Sequence, residues 1–182
     1  MSESKSICVL TGDQYRAAFA CRAVKDPRFY LESLFISGKH KELVATNGHI
    51  LYCSPIDGMD DGHPDIIIDA AKIPANIQRV IVTTFDDSHV LVETETVSGT
   101  VGPQFICKVI DANYPDYKAV YPDISKSESF QEICFSAVYL AIIQKVFGKV
   151  AVKFTLGGLK KPSIISTKNE SMGSLLLMPC RM

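Results

Sequence analysis

The sequence predicts an α+β fold of antiparallel sheets with helices gathered on one sheet face. Two observations carry that expectation. A helical stretch followed by short strands recurs three times along the 182 residues, and two of the strands, 90–96 and 104–110, alternate apolar with polar residues, as a sheet with one wet face requires. A content of 47% hydrophobic and 21% charged residues belongs to an ordinary globular protein able to bury a sizeable core.

Unit one covers about residues 1–58. Residues 7–10 read as a strand; Gly12-Asp13 then open a helix to about Val24, with Tyr15, Ala18 and Phe19 at i, i+3, i+4 spacing, and Pro27 ends it. Residues 28–37, 43–47 and 50–54 read as three strands, the last two joined by the Asn47-Gly48 hairpin turn. After a polar stretch at 57–64, unit two (about 63–112) offers a strand at 66–68, a weaker helix over about 70–80 that Pro74 splits or delays, and strands at 80–85, 90–96 and 104–110. Residues 113–127, with Pro115 and Pro122, read as a linker. Unit three repeats the order: a strand at 132–135, a helix from the N-cap Ser136 to about Phe147, a stop at Gly148, and strands at 150–156, 163–167 and 174–178. The expected division is a complete domain over 1–122, made of the β-α-β-β-β units one and two plus linker, and a half domain over 123–182.

The net charge of -1 excludes a nucleic-acid binder that works by overall charge, although local basic strips remain open. Six cysteines stand singly at wide spacings, Cys8, Cys21, Cys53, Cys107, Cys134 and Cys180, so neither a zinc site nor a disulfide framework is expected and they read as small buried hydrophobes. Gly157-Gly158 lacks the lysine and helix of a phosphate loop, the Ser, His and Asp residues show no nucleophile spacing, and Asp60-Asp61 and Asp86-Asp87 read as solvated loop acids. The expectation is a protein that is not an enzyme, without metal or cofactor. No run approaches the roughly eighteen apolar residues of a membrane span, and the start lacks a signal-peptide pattern, so a cytoplasmic protein with no membrane partner is expected.

Three segments carry a resemblance. They are RFYLESLFISGKHKELVATNGHILYCSPI (28–56), NYPDYKAVYP (113–122) and LLLMPCRM (175–182). In that order they resemble the middle domain and C-terminal end of the bacterial DNA polymerase III beta subunit, the sliding clamp family, in a shortened form that keeps the middle domain and the second half of the last. The resemblance implies the DNA clamp fold, three β-α-β-β-β units with helices on the inner face, assembling into a ring around duplex DNA. It implies sequence-independent phosphate contacts by Arg16, Arg22, Lys25, Lys72, Arg79, Lys145 and Lys149, whose alternative reading is plain solvated helix faces.

It also implies a hydrophobic pocket for peptides of DNA polymerase and other clamp-binding proteins, formed by Leu31, Thr46, Gly48, His49, Leu51, Pro115, Val120, Leu176, Met178, Pro179, Cys180, Arg181 and Met182. Ile50 and Ala119 stand where the family has basic residues, so the partner set is expected to differ. The other readings are that His49 satisfies a turn carbonyl, Tyr114 and Tyr117 pack between domains, and the C-terminus is simply a last strand. If a ring needs about twelve units, three per chain give a homotetramer, with a clamp loader as a further partner. The rival reading is an unclosed clamp mimic from a phage or other mobile element, which binds clamp-interacting proteins or a host clamp and modulates replication.

Overall fold

A computed structural model describes residues 6–59, 61–123 and 133–180. Strand β1 (Ser6–Thr11) leads into helix α1 (Gly12–Cys21). Thr11 caps the helix reciprocally with Gln14: the Gln14 amide donates to Thr11 Oγ1 at 3.1 Å and the Thr11 amide to Gln14 Oε1 at 2.9 Å. The helix stops at Cys21, short of Val24, because Arg22 turns extended with ψ 159. A 3-10 turn (Phe29–Glu32) stands where the first half of a strand was expected. Then come β2 (Leu34–Ser37), β3 (Glu42–Thr46) and β4 (Ile50–Pro55), an antiparallel meander whose β3–β4 turn holds Asn47-Gly48.

Unit two opens with β5 (Ile66–Ile68) and continues as β6 (Ile77–Asp86), β7 (His89–Thr96) and β8 (Phe105–Lys108). The helix expected over 70–80 does not form. Pro74 has no amide to give such a helix, and from Ile77 onward the chain is committed to β6, a ten-residue strand paired on both sides. α1 takes over the carbonyls that a helix would have used. Tyr15 Oη donates to Ala71 O at 2.9 Å, and Arg16 Nη1 to Pro74 O and Ile77 O at 3.1 and 3.0 Å.

In unit three, α2 (Ala137–Phe147) begins at Ser136 and ends at Gly148, whose φ is +67. β9 (Lys153–Thr155), β10 (Ser163–Ser166) and β11 (Ser174–Leu177) follow. Residues 133–135 form no strand, and residue 132 lies outside the described residues.

The strands make two sheets, β1-β6-β7-β8 and β5-β2-β3-β4-β11-β10-β9. Units one and two exchange their first strands: β1 pairs with β6, and β5 with β2. Units one and three join through their last strands, β4 and β11, paired antiparallel from Ser174↔Cys53 to Leu177↔Ile50. One face of this long sheet (Ile50, Tyr52, Leu175, Leu177) packs into the main core with α1 and α2. The other face (Phe35, Val44, Leu51, Leu176) is covered by linker residues Tyr114, Tyr117 and Tyr121. Burial on both faces explains why these strands read as continuous apolar runs without alternation. Cys8, Cys21, Cys53 and Cys107 are buried, Cys134 is half-buried and Cys180 exposed, all as free thiols; burial pushes the Cys8 and Cys53 thiols up to about 12.

Candidate functional site

The β4–β11 seam creates a pocket because three chain segments meet on its outer face. The hairpin turn supplies the first wall. Thr46 Oγ1 donates to Ile50 O at 2.8 Å and accepts the Gly48 amide at 3.0 Å, while Asn47 Oδ1 accepts the amides of His49 and Ile50 at 3.0 and 3.1 Å. Gly48 holds φ +88, a conformation a side chain would strain.

The linker supplies the second wall. The Tyr114 ring stacks on Phe35 at 4.5 Å and 6°, and Tyr117 Oη donates to Glu42 Oε2 at 2.6 Å. Lys118 Nζ reaches both Glu42 oxygens, at 2.7 and 2.6 Å, so the linker is clamped onto β3. The third wall is the end of β11, where the Met178 amide donates to His49 O at 3.1 Å.

The result is a cavity of about 200 Å³ lined by Arg28, Leu31, Thr46, Gly48, His49, Ile50, Leu51, Tyr114, Pro115, Asp116, Tyr117, Val120, Pro162, Leu176 and Met178. Ligand sites for whole small molecules run roughly 300–1,000 Å³, so this one has room for a side chain or two rather than for a whole small molecule. Of the residues expected from sequence, Leu31, Thr46, Gly48, His49, Leu51, Pro115, Val120, Leu176 and Met178 meet here. Pro179 and Cys180 do not line the cavity; the Cys180 amide instead donates to Cys134 O at 2.7 Å. Arg181 and Met182 lie outside the described residues.

Sequence reasoning missed Arg28, Ile50, Tyr114, Asp116, Tyr117 and Pro162 as wall residues. Ile50 and Tyr117 are in the walls because the strand and linker that carry the expected residues bring them along. Pro162, from the β9–β10 connection, gave no local signal. The Arg28 fork is already engaged by Asp26, with Nε and Nη2 at 2.9 and 2.8 Å from its carboxylate, and hydrogen bonds from Arg28 hold the Asp26 carboxyl down at about 2. The His49 ring stacks on Tyr139 of α2 at 5.6 Å. A larger groove of about 1060 Å³ between β4 and residues 150–174 mixes the charged groups of Glu42, Lys153, Lys168 and Glu170 with apolar side chains such as Tyr121, Val152 and Met172.

Burial by itself would raise the Glu42 carboxyl, but the hydrogen bonds from Lys118 and Tyr117 and the Lys118 charge outweigh it, leaving the carboxyl below its ordinary value of 4.5. Burial and the Glu42 partner both push the Tyr117 hydroxyl upward. A carboxyl with a lowered folded-state value stabilises the fold above the ordinary value and loses that contribution as pH falls through the lowered one. We therefore expect the melting temperature to drop in an acid limb below about pH 4.5, and Glu42→Gln to flatten that limb; an unchanged pH profile in the variant would count against the linker clamp.

The basic residues fall into different environments. Lys25, Lys72, Lys145 and Lys149 are exposed. Arg22 lies 4.0 Å over the Phe19 ring. Arg16 is occupied by two carbonyls and by Asp13 at 2.7 Å. Arg79 projects from the face of β6 opposite buried Val80 and Val82 and pairs with Glu95 at 3.2 Å. Because Arg16 serves the fold, Arg16→Ala is expected to cost roughly 1–2 kcal/mol of stability through two orphaned carbonyls, measured by chemical denaturation.

No protein-family profile matches the chain, and no curated protein matches it by sequence. Solved structures do match. The DNA polymerase sliding clamp of Bacillus subtilis superposes with a TM-score of 0.69 at 17% identity, over 100% of this chain and 66% of the clamp. The fold is that of a bacterial DNA sliding clamp. The Pseudomonas aeruginosa clamp, in a ligand-bound structure, gives a TM-score of 0.68 at 16% identity over 96% of this chain and 65% of that one. The Streptococcus pneumoniae DNA polymerase III beta chain gives 0.68 at 16%, over 100% and 66%. The chain thus spans 65–66% of the length of these clamps. Among the described residues no helix is long and apolar enough to cross a membrane, and no group of His, Cys, Asp and Glu is placed to hold a metal ion.

Proposed function

We propose that the protein is a sliding clamp: a homo-oligomeric ring that encircles duplex DNA and tethers a polymerase or repair protein by a short peptide seated in the seam pocket. The observation that carries this reading is the convergence of nine expected residues from four chain segments into one apolar cavity on a clamp fold. Its walls fit an apolar peptide anchor, and the thioether of Met178 repacks readily around related side chains. Ile50 adds an apolar wall where a cation would favour an acidic or polar peptide group, and Ala119 offers none. Arg28 is held by Asp26. Peptide choice should therefore rest on apolar fit more than on charge.

DNA contact is assigned to the exposed Lys25, Lys72, Lys145 and Lys149. Such contacts neutralise phosphates without reading bases, so retention should be independent of sequence and sensitive to salt. Four chains of three units supply the ring. The seam pairs the last strands of units one and three, and β8, the last strand of unit two, ends its sheet with Ile106 58% exposed; it is the natural place for an inter-chain seam.

Assembly on a nicked circular duplex followed by linearisation tests the reading. A clamp stays on the circle and slides off the linear product, and Lys145→Ala with Lys149→Ala reduces retention equally on unrelated sequences. Equal retention on circular and linear DNA would contradict it.

A further inference from the structure

Unit three has both halves of a strand exchange and neither partner. Within the complete pair of units, each gives its first strand to the other: β1 lies on the outer edge of β6, and β5 on the outer edge of β2. In unit three the strand equivalent to β2 and β6 is β9, which ends its sheet with β10 as its one neighbour among the described residues. The segment equivalent to β1 is 133–135, directly before the N-cap Ser136, and it forms no strand. The β9 edge is thus open, while the donor segment is held to its own chain by the Cys180 amide on Cys134 O at 2.7 Å and by the Phe135 ring 6.2 Å from Phe154 of β9, contacts that a strand exchange would have to replace.

The helix tells the same story by position. Counting from the N-caps Thr11 and Ser136, the α1 residues Gly12, Tyr15 and Arg16 correspond to Ala137, Leu140 and Ala141 of α2. In α1 these three meet the sister unit: Gly12 lies against the Ile77 carbonyl, Tyr15 bonds Ala71 O, and Arg16 bonds Pro74 O and Ile77 O. Tyr15 is 0% exposed, whereas Leu140 is 41% and Val138 70% exposed, and Ala137 and Ala141 are open to solvent. The positions that touch a sister unit in α1 are uncharged and uncovered in α2. A helix apolar on nearly all sides is one that is covered on nearly all sides.

We propose that the cover is unit three of a second copy of this chain, related by a twofold axis. Two such units build a composite domain: α2 crosses its copy at Leu140, and the β9 edge of each chain receives residues 133–135 of the other, as β6 receives β1. A second copy is the occupant because donor, acceptor and apolar stripe all belong to one unit, which is the self-complementarity an isologous interface demands. The pair carries six units in the order two, one, three, three, one, two. This interface deepens the ring assignment, on which it rests for the count of four chains; two pairs then meet through unit two.

The test uses the whole chain with Leu140→Glu and, separately, Leu140→Lys, read by native mass spectrometry. Each variant alone should show half the assembly mass of the unaltered protein. A one-to-one mixture should recover the full mass with both variants in equal number, since across a twofold axis the two charges face each other. Unchanged mass in either variant would overturn the composite domain and leave the ring standing on other contacts. Loss of mass without recovery on mixing would also overturn it. A monomeric unaltered chain would sink the ring and the pairing together.

Discussion

Gly173→Ala is expected to lower the melting temperature by roughly 6–12 °C, about 3 kcal/mol or more for a chain of this size. Gly173 sits immediately before β11 at φ +74, and a β-carbon there would stand 2.5 Å from Cys53 O and 2.9 Å from Ser54 Cα. The left-handed backbone alone costs an ordinary residue about 1–2 kcal/mol. The clash is with backbone, so relief requires β11 to move off β4. Movement of β11 carries Leu176 and Met178 away from the pocket, so peptide binding should fall with stability. Thermal denaturation followed by circular dichroism measures the first effect. A melting temperature within a degree or two of the unaltered protein would mean that the seam tolerates opening.

Met178→Asp should separate binding from stability. Met178 is 38% exposed at the pocket mouth, so the fold has little invested in it. A carboxylate among Leu31, Leu51, Val120 and Leu176 would be desolvated without a free cation when an apolar anchor enters. An unpaired charge buried in an apolar interface in this way costs about 2 kcal/mol or more, roughly thirtyfold in affinity. Fluorescence anisotropy with a labelled peptide bearing two adjacent leucines should show that weakening at an unchanged melting temperature. Equal affinity in the variant would place the peptide elsewhere.

Local signals proved sufficient where they were chemically specific. Asn47-Gly48 placed a hairpin, Gly12-Asp13 and Ser136 placed two helix starts, and the apolar run at 66–68 was a strand with the expected bounds. The segment at 70–80 was misread because its apolar spacing resembles a helix, while its fate is decided by pairing with β1 and β7 and by Arg16 reaching across from α1. No window of sequence contains those partners. The same distance effect governs the pocket. Nine of its residues followed from the resemblance of three segments, but Pro162 arrives from a connection far along the chain, and the engagement of Arg28 by Asp26 is a matter of side-chain geometry. Arg16 and Arg79 show the limit for charge as well: a basic residue near a helix in sequence can be spent on a carbonyl or turned to the other side of a sheet.

A closed ring made of several copies of this chain is tested most directly by the native mass in solution at micromolar concentration. Light scattering behind size exclusion should give a stable particle of four 20.0 kDa chains. A monomer at that concentration would contradict the ring and leave the pocket as a peptide-binding site on an unclosed clamp fold.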